Sequence, residues 1–205
     1  MKRENNNQLV SYLIACKMRH SESVIAAFKA IDRKDFVGSN NLEEAYEDYA
    51  LYIGHNATIS QPTTVAFMLE KLGAVPGDIV LDIGAGSGWT TALLAAIVGE
   101  YGRVYGVEII PELVEFGQHN LGKYNFPHAT IEQATEQLGL SDRAPFDRIL
   151  VSAAANSLSS ELVEQLRVGG SLIIPIKSAI WKVNKSLTSE IAIVKYPGFA
   201  FVPLQ

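Results

Sequence analysis

The chain has a single cysteine, Cys16, among 205 residues, so neither an internal disulfide nor a multi-thiolate metal site can hold its fold. It lacks a long apolar run, and no uninterrupted stretch approaches the ~20 residues that would cross a bilayer. Basic residues are outnumbered, 17 Lys plus Arg against 22 Asp plus Glu, for a net charge of −5. Phosphate-backbone binding demands a basic face, so neither nucleic acid nor a membrane is an expected partner. The start, Met1-Lys2-Arg3-Glu4, runs into Asn5, Asn6 and Asn7 instead of an apolar stretch. No secretory leader is legible there, and the expected location is cytoplasmic with Cys16 reduced. Internal repeats and a Pro/Gly/Ser-rich linker are also missing. What is present, 48% hydrophobic and 19% charged residues, suits one folded domain. A chain of this length buries roughly 70% of its unfolded surface.

Helical spacing comes first along the chain. Leu9, Val10, Leu13 and Ile14 share one face, and Val24, Ile25, Phe28 and Ile31 share another after a cap at Ser21 or Ser23. A polar loop, residues 38–50, follows. Ser60 and Pro62 mark a helix start whose buried stripe is Val65, Met68, Leu69 and Leu72. From residue 76 short apolar runs alternate with helical stretches. Ile79 to Ile83, Arg103 to Val107, Arg148 to Ser152 and Leu172 to Pro175 read as strands. Thr90 to Val98, Glu112 to Lys123 and Ser160 to Arg167 read as helices. This alternation predicts an α/β fold with a mostly parallel sheet covered on both faces. Glu190 to Val194 and Phe199 to Val202 lack an intervening helix and are expected to close the sheet as an antiparallel hairpin.

The run Asp82-Ile83-Gly84-Ala85-Gly86-Ser87-Gly88-Trp89 leaves the first strand and opens a helix, placing small residues where the backbone turns tightly and a ligand approaches. Its G-x-G-x-G spacing is not the G-x-G-x-x-G of dinucleotide sites, which disfavours a nicotinamide dehydrogenase. The acid two positions before the first glycine suits an amino-acid ammonium, as in S-adenosylmethionine, better than a pyrophosphate. Glu108 ends the next strand, where a carboxylate can accept from both hydroxyls of an adenosine ribose. The same residues also have plain structural readings, as turn glycines and as a first-turn acid beside Pro111. Trp89 is open between a ring on the cofactor and a core aromatic, and Trp181 is expected to pack or lie at the surface.

Four segments carry a resemblance. They are Ala45-Tyr46-Glu47-Asp48 with Ile53-Gly54 and Ala57-Thr58-Ile59-Ser60-Gln61-Pro62; residues 80–88 with Val107-Glu108-Ile109-Ile110-Pro111; residues 145–155 with Leu162 to Leu166 and Gly169 to Pro175; and Phe201-Val202-Pro203-Leu204. Together they resemble the protein-L-isoaspartate (D-aspartate) O-methyltransferases, in family order over nearly the whole chain. The Ala-Thr-Ile-Ser motif is much more discriminating than the glycine loop.

The resemblance implies one Rossmann-like methyltransferase domain over 1–205. Residues 1–75 would supply a helical extension and substrate loop, and 76–205 a cofactor-binding sheet with antiparallel C-terminal strands. It implies S-adenosyl-L-methionine as cofactor, S-adenosyl-L-homocysteine as product, and isoaspartyl-containing proteins and peptides as substrates of a monomeric enzyme. The cofactor residues would be Ile59, Asp82, Gly84, Ala85, Gly86, Ser87, Gly88, Glu108, Ile109, Thr135 and Glu136. The substrate residues would be Ala57, Thr58, Ile59, Ser60, Ala153, Ala154 and Val202, with Ser60 holding the reacting carboxylate. Ser60 also reads as an ordinary helix cap. Where the family has a Gly-Asp-Gly turn, this chain reads Ala134-Thr135-Glu136, and after Pro175 it reads Ile176-Lys177-Ser178.

The chemistry needs little apparatus. A carboxylate with an ordinary pKa of about 4 is already an anion at neutral pH, so positioning and removal of water suffice without a strong base. No metal is called for. His20, His55, His119 and His128 have no recognisable catalytic partner and read as surface or loop residues, His55 being the one beside the serine motif. Two alternatives stay open: a carboxyl methyltransferase for one dedicated peptide, and a non-catalytic module that binds isomerised or C-terminal carboxylates.

Overall fold

The computed structural model describes residues 2–16 and 21–204; His20 lies outside them. Helix α1, Asn6–Ala15, begins where the Asn5 side chain accepts from the Gln8 amide. Helix α2, Glu22–Ala30, begins in the same way at Ser21, which selects Ser21 over Ser23 as the cap. Leu9, Val10 and Leu13 are buried, whereas Ile14, expected beside them, is 55% exposed. At 3.6 residues per turn Ile14 sits about 140° around the helix from Leu9, beyond the buried stripe.

The polar loop contains a 3₁₀ turn, Ser39–Glu44, and leads into a small hairpin that periodicity does not announce: β1, Leu51–Gly54, and β2, Ala57–Ile59. Helix α3, Pro62–Leu72, follows and buries Val65, Met68, Leu69 and Leu72 as expected. Its N-cap position is Gln61, not Ser60, and Gln61 makes no side-chain cap bond. The acceptor comes from a distant loop instead: Asp48 Oδ1 takes the Thr63 amide at 2.9 Å and the Thr63 hydroxyl at 3.0 Å. Asp48 Oδ2 also takes the Tyr12 hydroxyl, and that bond is the main reason the Tyr12 phenol is pushed up to about 12.

The remaining strands are β3, Ile79–Ile83; β4, Arg103–Glu108; β5, Ala129–Gln133; β6, Phe146–Val151; β7, Leu166–Ile176; β8, Ala179–Lys185; and β9, Ile191–Pro197. They form one sheet in the order β5-β4-β3-β6-β7-β8-β9, parallel from β5 to β7 and antiparallel from β7 to β9. Helices α4, Trp89–Val98; α5, Pro111–Leu121; and α6, Ser160–Gln165, complete it. Strand alternation sends Val80 to one core cluster and Leu81 and Ile83 to the other. Helix α4 is buried almost all round because α2 covers the side that the sheet does not.

Three expectations needed correction. Strands β5 and β8 carry too little apolar alternation to stand out. The C-terminal hairpin is antiparallel as expected, but β9 pairs with β8, and Phe199 to Val202 lies outside the sheet. The last helix stops at Gln165, and β7 starts at Leu166, pairing with Phe146 of β6. Among the described residues, no helix is long and apolar enough to cross a membrane.

Candidate functional site

Strand order reverses about β3, with β4 on one side and β6 on the other. The carboxyl ends of such strands are where an α/β sheet leaves a crevice. Gly84 and Ala85 donate to the Val107 carbonyl, which ties the glycine loop to the end of β4. Gly88 has φ +86° and starts α4, and a Cβ there would lie 2.9 Å from the Gly117 carbonyl oxygen. A side chain would therefore force α4 and α5 apart. Gly86 has φ +52°, and a Cβ on it would come within 3.4 Å of Ile53 Cδ1, so the β1–β2 hairpin lies over the loop.

Beneath this hairpin a cleft of about 630 Å³ runs along the strand ends, within the size range of small-molecule and cofactor sites. It brings together Ala57, Thr58, Ile59, Ser60, Gly84, Ala85, Gly86, Ser87, Glu108, Ile109, Thr135, Glu136, Ala153 and Val202. Glu108 is buried at its wall. Oε2 accepts from Gly86 N at 2.9 Å, and Oε1 from Ile109 N at 2.8 Å and Ile110 N at 3.1 Å. Three of the carboxylate's roughly four lone-pair sites are thereby taken, both of those on Oε1, which leaves one on Oε2 for a further donor. A second cleft of about 340 Å³, lined by Tyr49, Ala50, Gln61, Thr64 and Phe201 among others, shares Thr58, Ser60, Ser152 and Val202 with the first. Ser60 is half-buried at this junction, and among the described residues its hydroxyl makes no hydrogen bond. Among the described residues, neither cleft is lined by a lysine or arginine.

Three predicted site residues stand off the wall. Asp82 is fully buried, because period-two alternation turns it to the face covered by α4. There Oδ2 accepts the Thr90 and Thr91 hydroxyls, each at 2.7 Å, and among the described residues Oδ1 has no partner within hydrogen-bond distance. Gly88 is committed to the start of α4. Ala154 spends its backbone on the C-terminal segment, donating to Val202 O and accepting from Leu204 N, both at 2.8 Å. That segment closes one side of the cleft with Val202, Pro203 and Leu204.

Sequence reasoning missed Thr90, Ser152 and Asn156, which also line the cleft; Ser152 follows directly on strand β6 and Asn156 lies five residues past its end, in the loop where such a sheet places its ligand contacts. Trp89 is 1% exposed and packs edge-on against Phe28 at 5.5 Å, a core ring that also reaches the cleft. Trp181 is half-buried under Lys195, whose Nζ lies 3.9 Å from the ring centre. His55 and His119 are exposed, but His128, expected at the surface or in a loop, is buried with Nε2 3.1 Å from Ala95 O. Lys177 and Ser178 form the turn between β7 and β8, away from both clefts.

Burial pushes the Asp82 carboxyl up from 3.8 to about 6, against the lowering effect of the two threonine hydroxyls. The folded chain thus holds this proton more tightly than the unfolded chain. The group favours folding below about pH 4, and that contribution is lost as pH rises through about 6. The two-unit difference corresponds to about 3 kcal/mol. Asp82→Asn, which cannot ionise, should therefore gain urea stability relative to the parent between pH 4 and 7. A constant offset across that window would show that Asp82 titrates as an ordinary carboxyl.

Comparison with known proteins gives a consistent answer. Residues 4–205 match the family described as Protein-L-isoaspartate(D-aspartate) O-methyltransferase. A Methanopyrus kandleri protein named Protein-L-isoaspartate O-methyltransferase is 39% identical over 209 residues, covering 98% of this chain and 92% of its own. One of the same name from Thermococcus onnurineus is 43% identical over 192 residues, covering 90% and 86%. Among solved structures, a Plasmodium falciparum protein described as a putative member, in complex with S-adenosyl-L-homocysteine, superposes with a TM-score of 0.87 at 24% identity over 99% of both chains. A protein-L-isoaspartate O-methyltransferase structure superposes at 0.88 with 25% identity, over 98% of this chain and 66% of that one.

Proposed function

The chain belongs to the protein-L-isoaspartate(D-aspartate) O-methyltransferase family, and from that premise we propose how its two clefts share the reaction. It is an S-adenosylmethionine-dependent enzyme that methylates the carboxylate of L-isoaspartyl residues in proteins and peptides. The observation that carries the assignment of roles is the junction: Ser60, its hydroxyl unengaged among the described residues, stands where the larger cleft meets the smaller one. The larger takes the cofactor and the smaller the acceptor chain. Within one methyltransferase domain, the part up to residue 75 supplies most of the acceptor side, Ser152 and residues 200–202 complete it, and the sheet from residue 76 on carries the cofactor side.

The donor set fits the cofactor. Glycines at positive φ let the backbone come close at Gly84 and Gly86, and Glu108 faces the cleft from the end of β4 to take a ribose hydroxyl on Oε2. Thr135 and Glu136 stand at the adenine end, replacing the Gly-Asp-Gly turn with a hydroxyl and an acid one position later. Asp82 acts from behind by ordering the Thr90 and Thr91 hydroxyls, and Thr90 is itself on the cleft wall.

S-adenosylmethionine, when bound, supplies a methyl group on a sulfonium, an electrophile that a carboxylate anion attacks without base assistance. The chain's part is to bring that anion in and dry it. Ser60 donates its hydroxyl to the acceptor carboxylate, Thr58 and Ile59 shape the pocket, and Val202 closes it from the C-terminal segment. One hydrogen bond leaves the remaining oxygen lone pairs available for attack while displacing water. In the released product, the neighbouring backbone amide nitrogen attacks the methyl ester and expels methanol. The succinimide so formed reopens with water, in part to normal aspartate.

The test is transfer of labelled methyl to a short L-isoaspartyl peptide beside its aspartyl counterpart, with calorimetric titration of S-adenosylhomocysteine. Transfer to the isomerised peptide alone is the expected result. Cofactor binding without transfer would mean a dedicated acceptor, and no binding at all would remove the enzymatic reading.

A further inference from the structure

Arg33 opens a 3₁₀ turn, Arg33–Phe36, just after α2, and is 0% exposed. Taking a guanidinium out of water is costly unless its donors are matched. Here Nη1 donates to Ala45 O at 2.7 Å and Glu47 O at 3.2 Å, and Nη2 to Tyr49 O at 3.0 Å and Ser60 O at 3.1 Å, while Nε finds no acceptor among the described residues. The guanidinium carbon lies 5.2 Å from the centre of the Trp89 ring, which begins α4 and lies on the wall of the larger cleft. Among the described residues Arg33 forms no ion pair; both oxygens of nearby Asp48 are engaged by Tyr12, Gln61 and Thr63. Burial draws Arg33 down to about 10, with Asp48 and Tyr49 opposing, so it stays a cation at neutral pH.

All the acceptors are backbone carbonyls, and they come from two places: the loop that borders the smaller cleft and Ser60 itself. Resting on the reading of Ser60 as the residue that meets the acceptor, we propose that Arg33 is a positioning residue for methyl transfer. Its planar fork ties the Ser60 backbone to residues 45–49 and seats this acceptor edge on Trp89, at the start of the helix that carries the cofactor loop. A lysine keeps the charge but offers one compact donor head with three protons, which cannot serve these four carbonyls at once.

The test uses Arg33→Lys and Arg33→Gln, with kcat and KM for the isoaspartyl peptide, S-adenosylhomocysteine affinity by calorimetry, and amide hydrogen exchange read over 45–61 and 79–98. In Arg33→Lys the cofactor Kd should stay within about twofold while kcat/KM falls about a hundredfold, the loss that about 1 Å of misplacement brings. Exchange should quicken over 45–61 only. Parent-like kcat/KM in the lysine variant overturns the proposal, as does a parallel loss of cofactor affinity with faster exchange in both segments. If the parent itself transfers no methyl, the functional reading fails separately, and unchanged exchange over 45–61 in the variant then overturns the Arg33 assignment on its own. Failure of both variants to fold would make the fork a determinant of folding, which also overturns it.

Discussion

Glu108→Ala should raise the dissociation constant for S-adenosylhomocysteine by at least about tenfold to a hundredfold, because it removes a hydrogen bond to a charged acceptor that contributes about 1.5–3 kcal/mol. The carboxylate has a second task that adds to this loss. It holds the amides of Gly86, Ile109 and Ile110, so its removal strands three backbone donors and loosens the loop from the end of β4. Glu108→Gln separates the two tasks, since it keeps one acceptor oxygen while presenting an NH₂ to donors that need acceptors. Its affinity should fall between parent and alanine variant. A folded alanine variant that binds as the parent does would remove Glu108 from the proposed ribose contact.

Ser60→Ala should act on the other substrate. Loss of one hydroxyl bond to an anion lowers kcat/KM for the isoaspartyl peptide by about tenfold to a hundredfold. Cofactor affinity should hold, because the glycine loop and Glu108 do not depend on that hydroxyl. Stability should hold too: the side chain is not the cap of α3, a task that Asp48 performs from the loop. Measuring peptide kinetics, calorimetric Kd and melting temperature on one preparation separates these effects. Parent-like kinetics would withdraw the role given to Ser60, whereas a fall in all three would mean that the residue supports the fold.

The structure also explains which parts of the site were legible beforehand. Gly84 to Ser87 and Glu108 are legible because type and order are local properties, glycines after an apolar strand and an acid at the next strand's end, whereas Ala57 to Ser60 are marked only by the motif's resemblance to the family. All of them reach the cleft. Asp82 was assigned to the wall from its place beside the glycines, and one step of strand alternation turned it inward instead, onto Thr90 and Thr91. Ala154 was assigned from its neighbours, and a backbone pairing with residues 202–204 claimed it. His128 does lie in a turn, just before β5, but packing beside Phe126 and the Ala95 carbonyl buries it there instead of leaving it at the surface.

By itself the sequence determined the fold class, the order of strands and helices around the glycine loop, and the family, since hydrophobic period and motif spacing are written in consecutive residues. Only the tertiary structure decided that two clefts meet at Ser60, that Asp48 caps a helix from another loop, and that Arg33 gathers the carbonyls of 45–49 and Ser60. These depend on contacts between segments far apart in the chain. An arginine that spends its charge on backbone carbonyls leaves no periodicity and needs no particular side chain as partner, so nothing in the order of residues marks it.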